Sequence, residues 1–136
     1  MKHLLLVAIM AIASFTTKAQ WAANASSCDI EYRQICIDLT TCTVSYPSTT
    51  WVSVPANSHL PLTILRCNPG EVVGYEVRYD AGSTGCTNTP VTVIDHNFGP
   101  SACGINAHED MGTCACNVNI LGAHVHFNGT NLHIDN

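Results

Sequence analysis

Imidazoles and carboxylates are the side chains of this sequence best suited to hold a metal ion, and they gather near its end. The stretch GAHVHFNGTNLHIDN, Gly122 to Asn136, carries three of the seven histidines. Asn128-Gly129 between alternating apolar residues is a strong hairpin signal. Strand side chains alternate between faces. Leu121, Ala123, Val125 and Phe127 therefore share one face with Leu132 and Ile134. His124, His126, His133 and Asp135 share the other. Two registers are open. A two-residue turn sets His124 opposite His133, whereas a four-residue loop sets His126 opposite His133 and His124 opposite Asp135. The faces are the same in both. Opposed strand residues have Cβ atoms about 4.5–5.5 Å apart, near enough for imidazoles to reach one ion at about 2.0–2.1 Å. Imidazole suits zinc and copper, so these are the ions expected if this face binds one.

The His124-x-His126 pair with a histidine from the next strand resembles the zinc-binding arrangement of carbonic anhydrases. HVHF is similar to the copper strand of copper–zinc superoxide dismutases. The likeness is confined to this strand pair, so it implies a ligand set and neither activity. The competing reading is a solvated strand face, since the apolar side of the hairpin is needed for the core, and the sequence favours it. A second group, His96, His108, Glu109 and Asp110, lacks a diagnostic spacing. His59 stands alone and reads as a surface residue. There is no G-x-S-x-G elbow, no Gly-rich phosphate loop and no C-x-x-C pair. The reading is against catalysis.

The elements that must position these residues are strands. In EVVGYEVRYD, Val73, Tyr75, Val77 and Tyr79 alternate with Val72, Gly74, Glu76, Arg78 and Asp80, which reads as a half-buried strand with a wet outer face. Ile30 to Leu39 is strand-like, but its parity slips between Tyr32 and Ile35, which predicts a bulge near Arg33-Gln34. Val44 to Tyr46, Trp51 to Val54, Leu60 to Leu65, Val91 to Ile94, Val118 to Phe127 and Asn131 to Asp135 are further strand candidates. No amphipathic helix of useful length is visible. Short strands separated by Gly, Pro and Asn predict an all-β fold: one disulfide-stabilised antiparallel β-sandwich, immunoglobulin-like or a similar Greek key, of about seven or eight strands. Residues 95–117 form the longest irregular stretch, which predicts a cross-linked loop.

The ends and the composition bound the class. Lys2 and His3, an apolar run from Leu4 to Phe15, and small residues at Thr17 and Ala19 have the layout of a secretory signal peptide over residues 1–19. The run is too short to span a membrane, which takes about 20 residues, so no stable anchor is expected. Residues 20–27 read as a flexible lead-in and residues 28–136 as the domain. Cleavage after Ala19 would remove both lysines and leave Arg33, Arg66 and Arg78 against ten carboxylates, a net charge of −7. That balance repels phosphate and argues against nucleic acid. Eight cysteines remain: Cys28, Cys36, Cys42, Cys67, Cys86, Cys103, Cys114 and Cys116. An even count in an exported chain reads as disulfides of unknown pairing. A zinc cluster including Cys114 and Cys116 is the weaker alternative. Asn24 and Asn128 begin Asn-x-Ser/Thr patterns, which matter only where a host glycosylates.

The leading expectation is therefore a secreted or periplasmic, non-enzymatic β-sandwich, binding a protein or glycan partner at the cell surface or serving there in adhesion or structure. The alternative is a zinc- or copper-binding protein using His124, His126, His133 and Asp135.

Overall fold

The computed structural model describes residues 20–84, 89–99, 101–113 and 123–136. The expected signal segment lies outside them, as do Cys86, Cys114, Cys116 and the start of the expected strand from Val118. Among the described residues the strands are, in chain order, β1 (Trp21–Asn24), β2 (Ile30–Asp38), β3 (Thr43–Ser45), β4 (Val52–Val54), β5 (Ser58–Pro61), β6 (Glu71–Tyr79), β7 (Val91–Ile94), β8 (His108–Asp110), β9 (His124–Phe127) and β10 (Asn131–Asp135). A single helical turn, Ala81–Thr84, and one 3-10 turn, His96–Phe98, complete the regular structure.

Two five-stranded sheets face each other as a β-sandwich. The first has the order β5-β1-β10-β9-β8; the second runs β3-β2-β6-β7, with β4 also paired to β2. Both inner faces feed one core. The first sheet contributes Ala22, Val125, Phe127, Leu132 and Ile134; the second contributes Ile30, Tyr32, Tyr75, Val77, Tyr79 and Val93. Tyr75 stands edge-on to Tyr32 and to Phe127, with centroids 5.9 and 4.9 Å apart. Such pairs add about 0.5–1.5 kcal/mol each beyond their buried area.

Three sequence expectations change. Among the described residues there are ten strands, because Trp21–Asn24 and His108–Asp110 are strands as well. The first of these lies within the expected flexible lead-in. It is ordered because it fills the slot between β5 and β10, antiparallel to β5 and parallel to β10. Its buried Asn24 donates from Nδ2 to the carbonyls of Cys28 and Val54 at 2.8 and 3.0 Å, and its Oδ1 accepts from the Ser26 amide and hydroxyl. A side chain 1% exposed and held this way is also closed to glycosylation in the folded protein.

The third change concerns β2. It pairs with β6 in unbroken register from Ile30↔Tyr79 to Asp38↔Glu71, with no bulge at Arg33-Gln34. The parity slip has another cause: both faces are covered. Ile35 and Ile37 join Ile94 in a second small core on the outer side, packed by Leu39, Val44, Val72 and Ile105. Gly74 permits this closure, since a Cβ there would lie 2.8 Å from the Val93 carbonyl and 3.1 Å from Ile37 Cδ1. Val72 and Gly74 are thus packed, and only the Glu76–Arg78 end of β6 keeps its outward polar side chains. On the inner side Gln34 acts as a substitute peptide group. Its amide accepts from the Leu65 N–H and donates to the Leu65 carbonyl, both at 2.7 Å.

The disulfide Cys36–Cys67 lies on the inner side beside Gln34, whereas Cys42–Cys103 clamps the loop over this second core. Their separations of 31 and 61 residues correspond to about 4 kcal/mol each in lost unfolded-chain entropy. Cys28 is also disulfide-bonded, and its partner lies outside the described residues. Cross-links of this kind belong to an oxidising, extracellular-type environment. Among the described residues no helix is long and apolar enough to cross a membrane.

Asn24→Ala leaves several buried backbone groups without partners and should cost about 2–3 kcal/mol in denaturant unfolding. A loss below about 0.5 kcal/mol would show that β1 is not held as described.

Candidate metal centre

The hairpin takes the four-residue register. Leu132 pairs with Phe127, His133 with His126, and Asp135 with His124. Asn128 sets the loop by accepting from the amides of Thr130 and Asn131 and from the Thr130 hydroxyl. Gly129 is required twice. Its φ is +78°, and a Cβ would run into the Asp95 carboxylate. Val125, Phe127, Leu132 and Ile134 are buried, so His124, His126, His133 and Asp135 occupy the outer face together.

The sheet then extends this face in both directions. On one side β8 pairs with β9, setting His108 opposite His126 and Asp110 opposite His124. On the other, β1 sets Ala23 opposite His133, and β5 sets His59 opposite Ala23. One row across all five strands therefore reads His59, Ala23, His133, His126, His108. The next row reads Asp135, His124, Asp110. Glu109 points the other way and accepts from Asn106 Nδ2 at 2.9 Å. His96 belongs to the 3-10 turn, where it pairs with Asp95 at 3.1 Å.

Of these groups, His108, Asp110 and His124 bring their donor atoms within 4.8 Å of one another. The Asp110 carboxylate is hydrogen-bonded to His124 Nδ1 and lies 3.6 Å from His108 Nε2. Two imidazoles and one carboxylate form a three-donor set with room for water or another ligand. Donors on bonds of about 2.0–2.2 Å lie about 3.4 Å apart at tetrahedral angles, so Asp110 and His124 must part from their hydrogen bond and the rings must turn toward a shared point. Side chains that are 60, 72 and 43% exposed have that freedom. Only His124 belongs both to this set and to the four residues that the hairpin pattern singles out.

The other three flank it. His126 and His133 stack at 4.9 Å with their planes 15° apart, and His108 stacks on both His124 and His126. Stacked rings aim their in-plane lone pairs side by side, so His126 and His133, like His108 and His124, converge on one ion only after a ring rotates. Asp135 stands across from His124 at the hairpin's open end. Burial, followed by the charge of His133, holds the His126 imidazole below its ordinary range; Asp135 opposes this and His108 adds to it. The neutral imidazole of His126 is thereby favoured.

No arginine intrudes. Arg33 and Arg78 lie in the other sheet, paired to Glu76 and Glu31, with their guanidinium groups stacked on Trp51. A second donor cluster, Cys36, Cys67 and Glu71, is not a metal site, because both sulfurs are spent in a disulfide. Comparison with protein-family models, with curated proteins and with solved structures finds no match, so the chemistry rests on this geometry.

A lowered His126 pKa means that the folded state resists protonation there. The unfolded chain binds more protons below about pH 6.5, so stability falls as pH drops through that value. NMR titration should find His126 titrating below about 6.5, and in His126→Asn the loss of stability between pH 7 and 5 should shrink. A His126 midpoint above the ordinary value would contradict the burial argument.

Proposed function

We propose that the protein is an exported, non-catalytic β-sandwich that binds zinc or copper on the outer face of its histidine-bearing sheet. The observation that carries the reading is that His108, Asp110 and His124, from two adjacent strands, bring their donor atoms within 4.8 Å of one another. His126, His133 and Asp135 extend the same face and serve as further donors or as acceptors for ligand N–H groups. Export follows from the signal-like residues 1–19 and agrees with the disulfides. The excess of carboxylates over arginines attracts cations. An open, exposed three-donor site suits capture and exchange of an ion better than permanent structural burial, and among the described residues nothing beside it resembles a nucleophile–base pair.

A second reading keeps the fold and the location but dispenses with the metal: an adhesion or surface-structural module touching a protein or glycan directly. An open groove lined by Trp21, Ala23, His59, Asn131 and His133 favours it.

Calorimetric titration with zinc and with copper should give one ion per chain for the folded protein. In His108→Ala/His124→Ala the affinity should drop by at least about tenfold, while His96→Ala leaves it unchanged. Binding should weaken from pH 7.5 to 5.5 as protons compete for the imidazoles. Equal, weak uptake by all three proteins would defeat the metal reading and leave the adhesion reading.

A further inference from the structure

The histidine row has one gap. Four of its five positions are imidazoles, and the fifth, between His59 and His133, is Ala23. Its flanking rings arise two strand spacings apart, about 9.5 Å, and a methyl group cannot fill that width. The result is a groove of about 490 Å³, floored by Ala23, walled by Asn57 and His59 on one side and by Asn131 and His133 on the other, and closed at one end by Trp21. Trp21 is 36% exposed and meets His59 edge-on at 5.1 Å. Its backbone N–H donates to Asn131 Oδ1 at 3.1 Å, which leaves the Asn131 NH2 to face a ligand.

The lining identifies the occupant's chemistry. No charged side chain borders the groove, so an anionic or cationic ligand has no counter-charge. The two amides and two imidazoles offer both donors and acceptors, as vicinal hydroxyl groups require. An indole supplies a flat apolar wall with a polar edge. The volume is that of a small-ligand site. The floor strand β1 is paired on both sides, so its backbone is spent and an extended peptide cannot add to it as a strand. We propose that this groove binds a neutral pyranose, its C–H face on Trp21 and its hydroxyls on Asn57, His59, Asn131 and His133.

The site stands at the opposite end of the face from His108, Asp110 and His124, and the proposal needs no bound ion. The test therefore uses chelator-treated protein, so that its failure and that of the metal reading are separate results. The chain's two tryptophans are Trp21 and Trp51, so Trp51→Phe makes Trp21 the sole indole reporter. Methyl glycosides of glucose, galactose, mannose and N-acetylglucosamine are titrated against its emission, and surfaces bearing glycans with the same terminal residues are probed for retention. At least one glycoside should give a saturable shift. Retention on the matching surface assigns a glycan terminus, and its absence assigns a free sugar. Ala23→Leu, which fills the floor without touching the core, should weaken binding at least tenfold. His59→Ala should do the same if the leucine variant does not fold. No saturable response to any of the four, or a response unchanged in the variants, overturns the proposal.

Discussion

The pairing of β1 with β10 is the constraint on which the rest of the outer face depends. Four residues, Trp21 to Asn24, form an interior strand of a five-stranded sheet and join β5 to the β8-β9-β10 unit. One parallel register and one antiparallel register meet at Ala23, and together they align His59 with His133, His126 and His108 in one row. A slip of one residue would turn Ala22 outward and Ala23 into the core. Ala22 and Asn24 resist that slip, the first by packing in the core and the second by its hydrogen bonds to β4 and to the chain leading to β2.

The other sheet solves a different problem. Its long strands β2 and β6 are apolar on both faces near Ile35 and Gly74, and a single sandwich core covers only one. The loop carrying Cys103 and Ile105 covers the other, held by the bond to Cys42 and packed on Ile37 and Ile94. The Cys42–Cys103 disulfide and its loop thus do for the outer side what the facing sheet does for the inner. This leaves the first sheet free to turn a polar face to solvent, where histidine and carboxylate donors are available to ligands.

The hairpin face was legible in the sequence because period-two alternation is independent of register, and Asn128-Gly129 marked the turn. The choice of the four-residue loop was not, since it depends on Asn128 capping the amides of Thr130 and Asn131 and on Asp95 packing against Gly129. His108 and Asp110 could be suspected only as residue types. Three residues in a long irregular stretch carry no period, and β8 is a strand because β9 offers it an edge. Trp21 to Asn24 was misread for a similar reason: WAAN is short and small, and its order comes from two neighbours far away in sequence. The slip in β2 had a visible signal, but a bulge and a second apolar cover produce the same pattern. Only the packing of Ile35 and Ile37 distinguishes them.

A polar face assembled from several strands has chemistry that no single segment contains, and the metal reading depends on the pairing of β8 with β9. The most direct measurement is a crystal structure of the zinc- or copper-loaded protein with anomalous diffraction at the metal edge. The account predicts one peak within about 2.0–2.3 Å of a nitrogen of His108, a nitrogen of His124 and an Asp110 oxygen. A peak bound by other residues, or no peak on this face at saturating metal, would contradict it.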